Sequence, residues 1–364
     1  MSAVRSLLFW FAGALALSSN LPAASVRIGV IGDYGSGTTN EEAVANLVKS
    51  WQPDFIMTVG DNNYPYGEAT TIDQNVGKFF HDYIYPYTGA YGAGAISNRF
   101  FPTVGNHDCC FPSPTPTGYD AYLAYFTLPG KERYYNYRYG PVEIFCLNSN
   151  PNDPDGWTFD SVQGEWLRTS LANSTATWRL VYFHHSPWSS GSLHGTSTGQ
   201  GYYMRWPFKD WGATAVLTGH DHIYERMLRD GMTYLVIGIG GDRIDPFGTT
   251  DPYSQLRYNA TYGALRIDAT ETNIMFRAIN KTNAQIDTLT FEAMPPRLQL
   301  LSSGPPTQLR LLGSTGQNYV TDGSMDLNAW KPVSTNSPVA GSVIITDPGS
   351  VGFDSRFYRA RLGH

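Results

Sequence analysis

The stretch VRIGVIGDYG (residues 26–35) and the similar stretch FIMTVGDNNY (residues 55–64) set the fold of this 364-residue chain. Each is an apolar run typical of a buried strand, followed directly by glycine and aspartate. Between them, residues 41–50 carry apolar side chains at helical spacing. The pattern predicts a β–α–β unit with a right-handed crossover, which brings Asp33 and Asp61 to the ends of neighbouring strands.

The pattern that follows extends this unit into a large domain of the mixed α/β class. Further strands are predicted at residues 101–104, 134–139, 142–147, 179–183, 215–217, 233–239, 264–268 and 273–278, and a second helix at 160–171. Many sequential strands with few helices predict two packed mixed β-sheets flanked by helices, over residues 26–294. Short alternating runs separated by turns then predict a small all-β accessory domain over residues 297–364.

The composition limits the classes of partner. The formal net charge is −6, whereas nucleic-acid-binding domains usually carry a basic patch or stripe. We therefore expect small-molecule substrates and no nucleic acid. The oligomeric state cannot be read from the sequence.

Residues 1–25 have the pattern of a signal peptide. Arg5 precedes an apolar stretch at residues 7–17, and small residues follow at 22–25. The apolar stretch is shorter than the roughly 20 residues that a membrane-spanning helix needs. The pattern predicts a secreted or periplasmic protein without a stable membrane span, and an uncleaved anchor is the alternative.

Three cysteines are too few for a disulfide framework. Cys109 and Cys110 are adjacent, and Cys146 ends a predicted strand. In an oxidising compartment one of the adjacent pair could bond Cys146, which would leave an odd thiol. A structural role that fixes the loop is favoured over a metal-binding role, and the pairing itself stays open.

Five short motifs combine Asp, Asn, Tyr and His, and most of them directly follow a predicted strand. They are Gly32-Asp33-Tyr34-Gly35, Gly60-Asp61-Asn62-Asn63-Tyr64, Gly105-Asn106-His107-Asp108, His184-His185-Ser186-Pro187 and Gly219-His220-Asp221-His222. Oxygen donors followed by imidazoles suit two adjacent cations that share a carboxylate, as in the hydrolysis of phosphate esters. Asp61 is the candidate for the shared carboxylate, because Gly60 permits unusual backbone angles at the strand end.

In this order the motifs resemble those of the calcineurin-like metallophosphoesterases, and the resemblance covers about residues 26–278. Tyr64, three residues after Asp61, is similar to the tyrosine of the purple acid phosphatases, the group that includes the tartrate-resistant acid phosphatases. The resemblance implies a binuclear centre of Fe(III) with Fe(II), Zn or Mn. The implied ferric ligands are Asp33, Asp61, Tyr64 and His222, and the implied ligands of the second metal are Asp61, Asn106, His185 and His220.

The adjacent histidines His184 and His185 are alternatives for one ligand position. The spacing to the following proline and to His194 favours His185. His184 would then lie on the opposite face of the strand, because successive side chains of a strand alternate.

The resemblance also implies that His107 and His194 are catalytic residues facing the substrate phosphate and the leaving group. An imidazole there can donate a hydrogen bond to a phosphoryl oxygen or protonate the departing alkoxide. The sequence thus predicts an exported acid phosphatase that hydrolyses phosphate monoesters by in-line attack of a metal-bound hydroxide. A phosphodiesterase or nucleotidase on the same scaffold is the alternative, and a non-catalytic phosphate- or surface-binding protein is a third.

Overall fold

The computed structural model describes residues 25–110, 119–196, 199–293, 296–304, 306–314, 317–338, 341–352 and 355–363. Its strands, β1 to β19 in chain order, are Val26–Ile31, Phe55–Thr58, Phe100–Pro102, Tyr135–Tyr139, Val142–Cys146, Trp178–His185, Ala215–Gly219, Tyr224–Arg229, Met232–Ile237, Ser254–Tyr258, Gly263–Ala269, Asn273–Asn280, Gln285–Glu292, Arg297–Ser302, Thr307–Leu312, Tyr319–Ser324, Lys331–Asn336, Ser342–Asp347 and Phe357–Leu362. Its α-helices, α1 to α5, are Thr39–Ser50, Lys78–Phe80, Asn106–Cys109, Tyr119–Tyr125 and Val162–Asn173.

Two large mixed sheets form the body of the molecule. The first has the strand order β13-β12-β11-β1-β2-β3, and the second has the order β10-β8-β9-β7-β6-β5-β4. Strands β1, β2 and β3 are parallel, as are β5, β6, β7 and β9. The parallel strands form one side of the first sheet and the centre of the second, and antiparallel strands complete both sheets.

Apolar side chains from both sheets pack into one core. Val30 and Met57 of the first sheet belong to the same buried cluster as Leu180 and Leu217 of the second. On the outer face of the second sheet, helix α5 contributes to a separate apolar cluster that includes Val181 and Phe183. The prediction of two packed mixed sheets flanked by helices is confirmed.

Helix α1 completes the first β–α–β unit as predicted. The Thr38 side chain caps its first turn by accepting a hydrogen bond from the backbone N–H of Glu41. Val44, Leu47 and Val48 are buried along one face of the helix, and Gly29 in β1 leaves room for Val48, because a Cβ at that position would lie 2.6 Å from it. Helix α1 therefore packs tightly against β1.

The carboxy-terminal residues form two small antiparallel sheets, β14-β15-β18 and β17-β16-β19. Leu311, Tyr319 and Ile345 make a small buried cluster of their own there. This part of the chain is all-β, as the sequence predicts.

The structure gives the cysteine pairing that the sequence leaves open. Cys109 and Cys110 are bonded to each other, and Cys146 is a free, buried thiol. Cys146 lies on β5 with its Sγ 3.7 Å from the carbonyl oxygen of Pro102. Its side chain is therefore buried in the core. The expected loop-fixing role fits the adjacent pair, which closes the turn after Asn106.

The predicted signal peptide covers residues 1–25, and all of it except Ser25 lies outside the described residues. Among the helices that the structure describes, none has the length and apolar character needed to cross a membrane.

Candidate metal centre

Five motifs from five strand ends meet at the same side of the two sheets. Asp33 follows β1, and Asp61 follows β2 after two intervening residues. Asn106 begins α3 beyond β3, His184 is the penultimate residue of β6, and His220 directly follows β7. Ligand sites in open parallel sheets form at the carboxyl ends of the strands. The candidate ligands of this chain lie at those ends.

The backbone at three of these positions is strained in the same way. Asp33, Asp61 and His220 have positive φ values of 55°, 53° and 72°, a region that non-glycine residues rarely occupy. Such conformations persist where the surrounding structure imposes them, and they cluster at functional sites. Hydrogen bonds hold these turns, including one from the Asp33 N–H to the Gly60 carbonyl at 3.0 Å.

Glycines before the ligand positions let the motifs approach one another. Gly60 has a φ of +94°, and a Cβ there would lie 2.6 Å from Nδ1 of His184. At Gly105 a Cβ would lie 2.2 Å from the backbone nitrogen of Asp61. A side chain at either position would separate the loops that carry the candidate ligands.

One half of the centre consists of Asp33, Asp61, Tyr64 and His222. The Tyr64 hydroxyl donates to Oδ2 of Asp61 at 2.9 Å and lies 3.3 Å from Nε2 of His222. The same nitrogen is 3.5 Å from Oδ1 of Asp33. Ligand atoms of the two aspartates and His222 all lie within 4.8 Å of one another, so one cation could contact all of them.

The other half consists of Asp61, Asn106, His184 and His220. Nε2 of His184 lies 2.9 Å from Oδ1 of Asn106, 3.1 Å from Nδ1 of His220 and 3.4 Å from Oδ1 of Asp61. Asp61 therefore directs Oδ2 to the first half and Oδ1 to the second. This is the arrangement expected of a carboxylate shared by two cations.

Of the two adjacent histidines, His184 has its Nε2 among the candidate ligands, whereas the sequence favours His185 for this ligand position and places His184 on the opposite face of the strand. Nδ1 of His184 contacts the carbonyl oxygen of Val59 at 2.8 Å. Nδ1 is the donor in that bond, and Nε2 faces the other candidate ligands. His185 instead contacts the Ser149 hydroxyl through Nδ1 at 2.8 Å, and its ring packs against that of His220 with 4.4 Å between centroids.

The charges in this pocket fit bound cations. Asp33 and Asp61 are buried, and no Lys or Arg of the described residues forms an ion pair with either of them. Burial raises the pKa of Asp33 well above its usual range. Burial would lower the pKa of His184, but the neighbouring carboxylate of Asp61 raises it to about 9. Anionic and amide oxygens with imidazoles are a donor set suited to Fe, Zn or Mn.

The two predicted catalytic histidines lie beside the centre. The ring of His194 packs on that of His220 with 3.9 Å between centroids, and its backbone N–H donates to Oδ1 of Asp221. The ring of His107 is 4.4 Å from that of Tyr64, and its Nδ1 is 2.7 Å from the carbonyl oxygen of Pro65. The structure thus brings both histidines to the candidate centre, on different halves of it.

Asp108 and Asn62 hold two motifs together and are not candidate ligands. The Asp108 carboxylate accepts hydrogen bonds from the Gly105 N–H and from both the backbone and the side-chain N–H groups of Asn62. Asp108 therefore caps a turn, which is one of the two roles that the sequence allows for it, and it fixes the Asp61 loop to the Asn106 loop.

Sequence reasoning missed a further segment, residues 240–245, which borders the first half of the centre. Asp242, Arg243 and Asp245 lie there, and Oδ2 of Asp242 is 3.7 Å from Nδ1 of His222. The segment comes after strand β9 and begins with two glycines and an aspartate. That glycine–aspartate pattern after a strand, shared with the other motifs, could have identified it.

Comparison with known proteins agrees with this geometry. The family model of the calcineurin-like phosphoesterases matches residues 26–224. Tartrate-resistant acid phosphatase type 5 of Rattus norvegicus is 26% identical over 256 residues, covering 62% of this chain and 75% of the relative. Purple acid phosphatase 17 of Arabidopsis thaliana is 26% identical over 230 residues, covering 56% of this chain and 64% of the relative.

Two solved structures share the fold at low identity. Purple acid phosphatase PPD1 from yellow lupin seeds has a TM-score of 0.61 at 15% identity, and the match covers 74% of this chain and 54% of the lupin chain. GAP50, described as the anchor in the inner membrane complex of Plasmodium, has a TM-score of 0.56 at 16% identity, with 74% and 89% covered. This chain therefore spans about half of the lupin enzyme.

Proposed function

The chain belongs to the calcineurin-like phosphoesterase family, and on that premise we propose that it is an exported acid phosphatase that hydrolyses phosphate monoesters at a centre of two metal ions. The observation that carries the proposal is the position of Asp61. Its two carboxylate oxygens face two separate groups of ligand-type side chains. Membership of the family does not by itself place two groups of ligand-type side chains around Asp61 in this chain.

The two halves of the centre suit different metals. Asp33, Asp61, Tyr64 and His222 would hold Fe(III), for which carboxylate and phenolate are hard, anionic donors. Asp61, Asn106, His184 and His220 would hold Fe(II), Zn or Mn, which accept amide oxygen and imidazole. Bound there, the cations would lower the pKa of coordinated water and neutralise charge on the phosphoryl oxygens.

His194 and His107 would act on the substrate itself. His194 packs on His220, beside the half that would hold the divalent ion, where its imidazole could protonate the departing alkoxide. His107 packs against Tyr64 and could donate a hydrogen bond to a phosphoryl oxygen. Asp221 would hold His194 in place through the bond to its backbone N–H.

Monoester substrates are supported by Tyr64 and by the acid phosphatases among the relatives. A phosphodiesterase or nucleotidase would use the same metal ligands, so the choice of substrate rests on the walls of the site. The fold by itself does not require catalysis, since the neighbour GAP50 is described as an anchor. A binding protein would hold metals and phosphate without turnover.

The test compares p-nitrophenyl phosphate with its bis ester on the metal-loaded protein. We expect turnover of the monoester to exceed that of the diester by at least about 10-fold in kcat/KM, a difference of about 1.4 kcal/mol in the activation barrier. Asp61→Asn keeps the size of the side chain and should abolish turnover of both. Asp160→Asn, which makes the same change at an exposed aspartate, should have no effect. Preferred turnover of the diester would favour the phosphodiesterase, and metal binding without any turnover would favour the binding protein.

Export is tested by expressing the full-length chain in a bacterium. Cleavage near residue 25 and recovery of the protein outside the cytoplasm would support it. A full-length protein retained in the membrane fraction would support the uncleaved anchor.

A further inference from the structure

Residues 240–245 are hydrogen-bonded to the backbone of two of the four candidate ligands in one half of the centre. The Asp242 N–H donates to the Asp33 carbonyl at 3.1 Å, and the Asp245 N–H donates to the His222 carbonyl at 3.1 Å. A third bond, from the Gly240 N–H to the Gly32 carbonyl, continues the contact at 2.9 Å. The position of this segment relative to the centre is therefore set by backbone hydrogen bonds.

Arg243 presents a guanidinium from this segment. Its Nε donates to Oδ1 of Asp245 at 3.0 Å, and its Nη1 is 3.5 Å from Oδ2 of Asp242. That same Asp242 oxygen is 3.7 Å from Nδ1 of His222, so one carboxylate separates the guanidinium from a candidate ligand. The Arg243 side chain remains 44% exposed, which leaves it accessible to a molecule entering from solvent.

The geometry of a guanidinium suits a particular kind of ligand. It offers five N–H donors in one plane and pairs with phosphate or carboxylate through two parallel hydrogen bonds. Asp245 and Asp242 contact Nε and Nη1 of Arg243 and hold its orientation, which lowers the entropy cost of binding a ligand. The reacting phosphoryl group belongs at the metal centre, so a ligand of Arg243 must be a second anionic group.

We propose that Arg243 is a specificity-determining residue that binds a second oxyanion, phosphate or carboxylate, on the leaving group of the substrate. The inference rests on the proposed function and refines it. The preferred substrates are then phosphate compounds with two anionic groups, such as a diphosphate or a phosphorylated acid. In pyrophosphate hydrolysis, a water oxygen bonds to one phosphorus while the bridging bond to the other phosphate breaks, and Arg243 holds the departing phosphate.

The test compares kcat/KM in the parent, Arg243→Gln and Arg243→Lys for substrates with and without the second charge. Pyrophosphate and 3-phosphoglycerate carry it, as a phosphate and a carboxylate respectively, and p-nitrophenyl phosphate and glycerol 2-phosphate do not. Loss of a hydrogen-bonded charge pair corresponds to about 10- to 100-fold in kcat/KM. We expect Arg243→Gln to lose this much kcat/KM for at least one of pyrophosphate and 3-phosphoglycerate, mainly through KM. For p-nitrophenyl phosphate and glycerol 2-phosphate, kcat/KM should change by less than about 3-fold.

Two controls separate recognition from charge balance. Arg243→Lys should recover part of the loss, because it keeps the charge and lacks the planar pair of donors. Arg168→Gln removes the same charge from an exposed position on α5 and should leave all four substrates unaffected. Equal losses for all four substrates in Arg243→Gln would show that Arg243 only balances Asp242 and Asp245, and would overturn the inference.

Inhibition provides a second measurement that does not depend on turnover of the doubly charged substrates. Pyrophosphate should inhibit hydrolysis of p-nitrophenyl phosphate more strongly than orthophosphate does in the parent, and Arg243→Gln or Arg243→Lys should reduce that preference. A parent that hydrolyses p-nitrophenyl phosphate without any such preference would refute the role of Arg243 and leave the proposed function intact. A parent that hydrolyses no phosphate ester would contradict the proposed function itself.

Discussion

At the scale of single residues, the two adjacent histidines of β6 have different surroundings. Nε2 of His184 lies within 3.4 Å of side-chain atoms of Asp61, Asn106 and His220. His185 is hydrogen-bonded to Ser149, and its ring packs against the rings of His184 and His220. Since the two residues are neighbours of the same type, each is a natural control for the other.

Substituting each histidine by alanine tests this difference. His184→Ala should lose one of two metal equivalents and at least about 100-fold in kcat/KM. Residues that only hydrogen-bond to a metal ligand typically account for 10- to 100-fold, and a ligand itself has a larger effect. His185→Ala should retain both metals and lose at most about 10-fold. Metal content by elemental analysis and hydrolysis of p-nitrophenyl phosphate measure the two effects. The opposite pattern would return His185 to the ligand set.

Tyr64 provides an optical test of the ferric half. Its hydroxyl is held by Asp61 and His222, and burial raises its pKa well above the usual value, so only a strongly charged cation would displace the proton. The iron-loaded protein should show a visible charge-transfer band, and Tyr64→Phe should abolish it. A band of equal intensity in the variant would show that another group is responsible.

At the scale of secondary structure elements, the ligand positions depend on where each strand ends. The predicted strand at residues 179–183 is extended in the structure to Trp178–His185. Trp178, Leu180 and Tyr182 face the core between the sheets, so alternation along the longer strand brings His184 to that same interior. The sequence prediction of His185 relied on the spacing to proline and His194, whereas a period of two counted from Trp178 favours His184.

Some strands could not be predicted because their stabilisation is tertiary. Strand β8, Tyr224–Arg229, contains charged residues that argue against a buried strand. In the structure Glu225 accepts hydrogen bonds from the N–H and the hydroxyl of Ser190, and Arg226 pairs with Asp287. These partners are distant in the sequence. By contrast β1, β2 and α1 were predictable, because their apolar patterns alone specify them.

The turn between β2 and Asp61 should tolerate no side chain at Gly60. Gly60→Ala places a methyl group against His184 at a φ of +94°, and such strain costs roughly 1–3 kcal/mol. We expect a lower melting temperature and loss of metal. Gly304→Ala is the control, because the nearest atom to its Cβ is 3.8 Å away. Thermal denaturation of both variants measures the difference, and equal stability would mean that the turn can relax.

At the scale of the whole molecule, every candidate site residue lies between Asp33 and Arg243, within the part that contains the two large sheets. The small carboxy-terminal sheets have a separate apolar cluster. We propose that residues 26–294 are the catalytic domain and residues 297–364 an accessory domain, as the change in sequence pattern predicts.

Removal of the accessory domain tests this division. A chain ending at residue 293 should keep its metals and a kcat/KM for p-nitrophenyl phosphate within about 3-fold of the parent, since the candidate centre belongs to the larger part and mutations at distant, independent sites rarely couple. Retained activity supports two domains. Loss of both folding and activity would show that the small sheets stabilise the large ones and that the division is wrong.

The most direct measurement is a crystal structure of the iron-loaded protein with anomalous data collected at the iron edge. Two anomalous peaks are expected roughly 3.5–4 Å apart, each in contact with a different oxygen of Asp61. His184 should coordinate one of them, and Tyr64 the other. A single peak, or two peaks that do not share Asp61, would contradict the two-metal centre proposed for this chain.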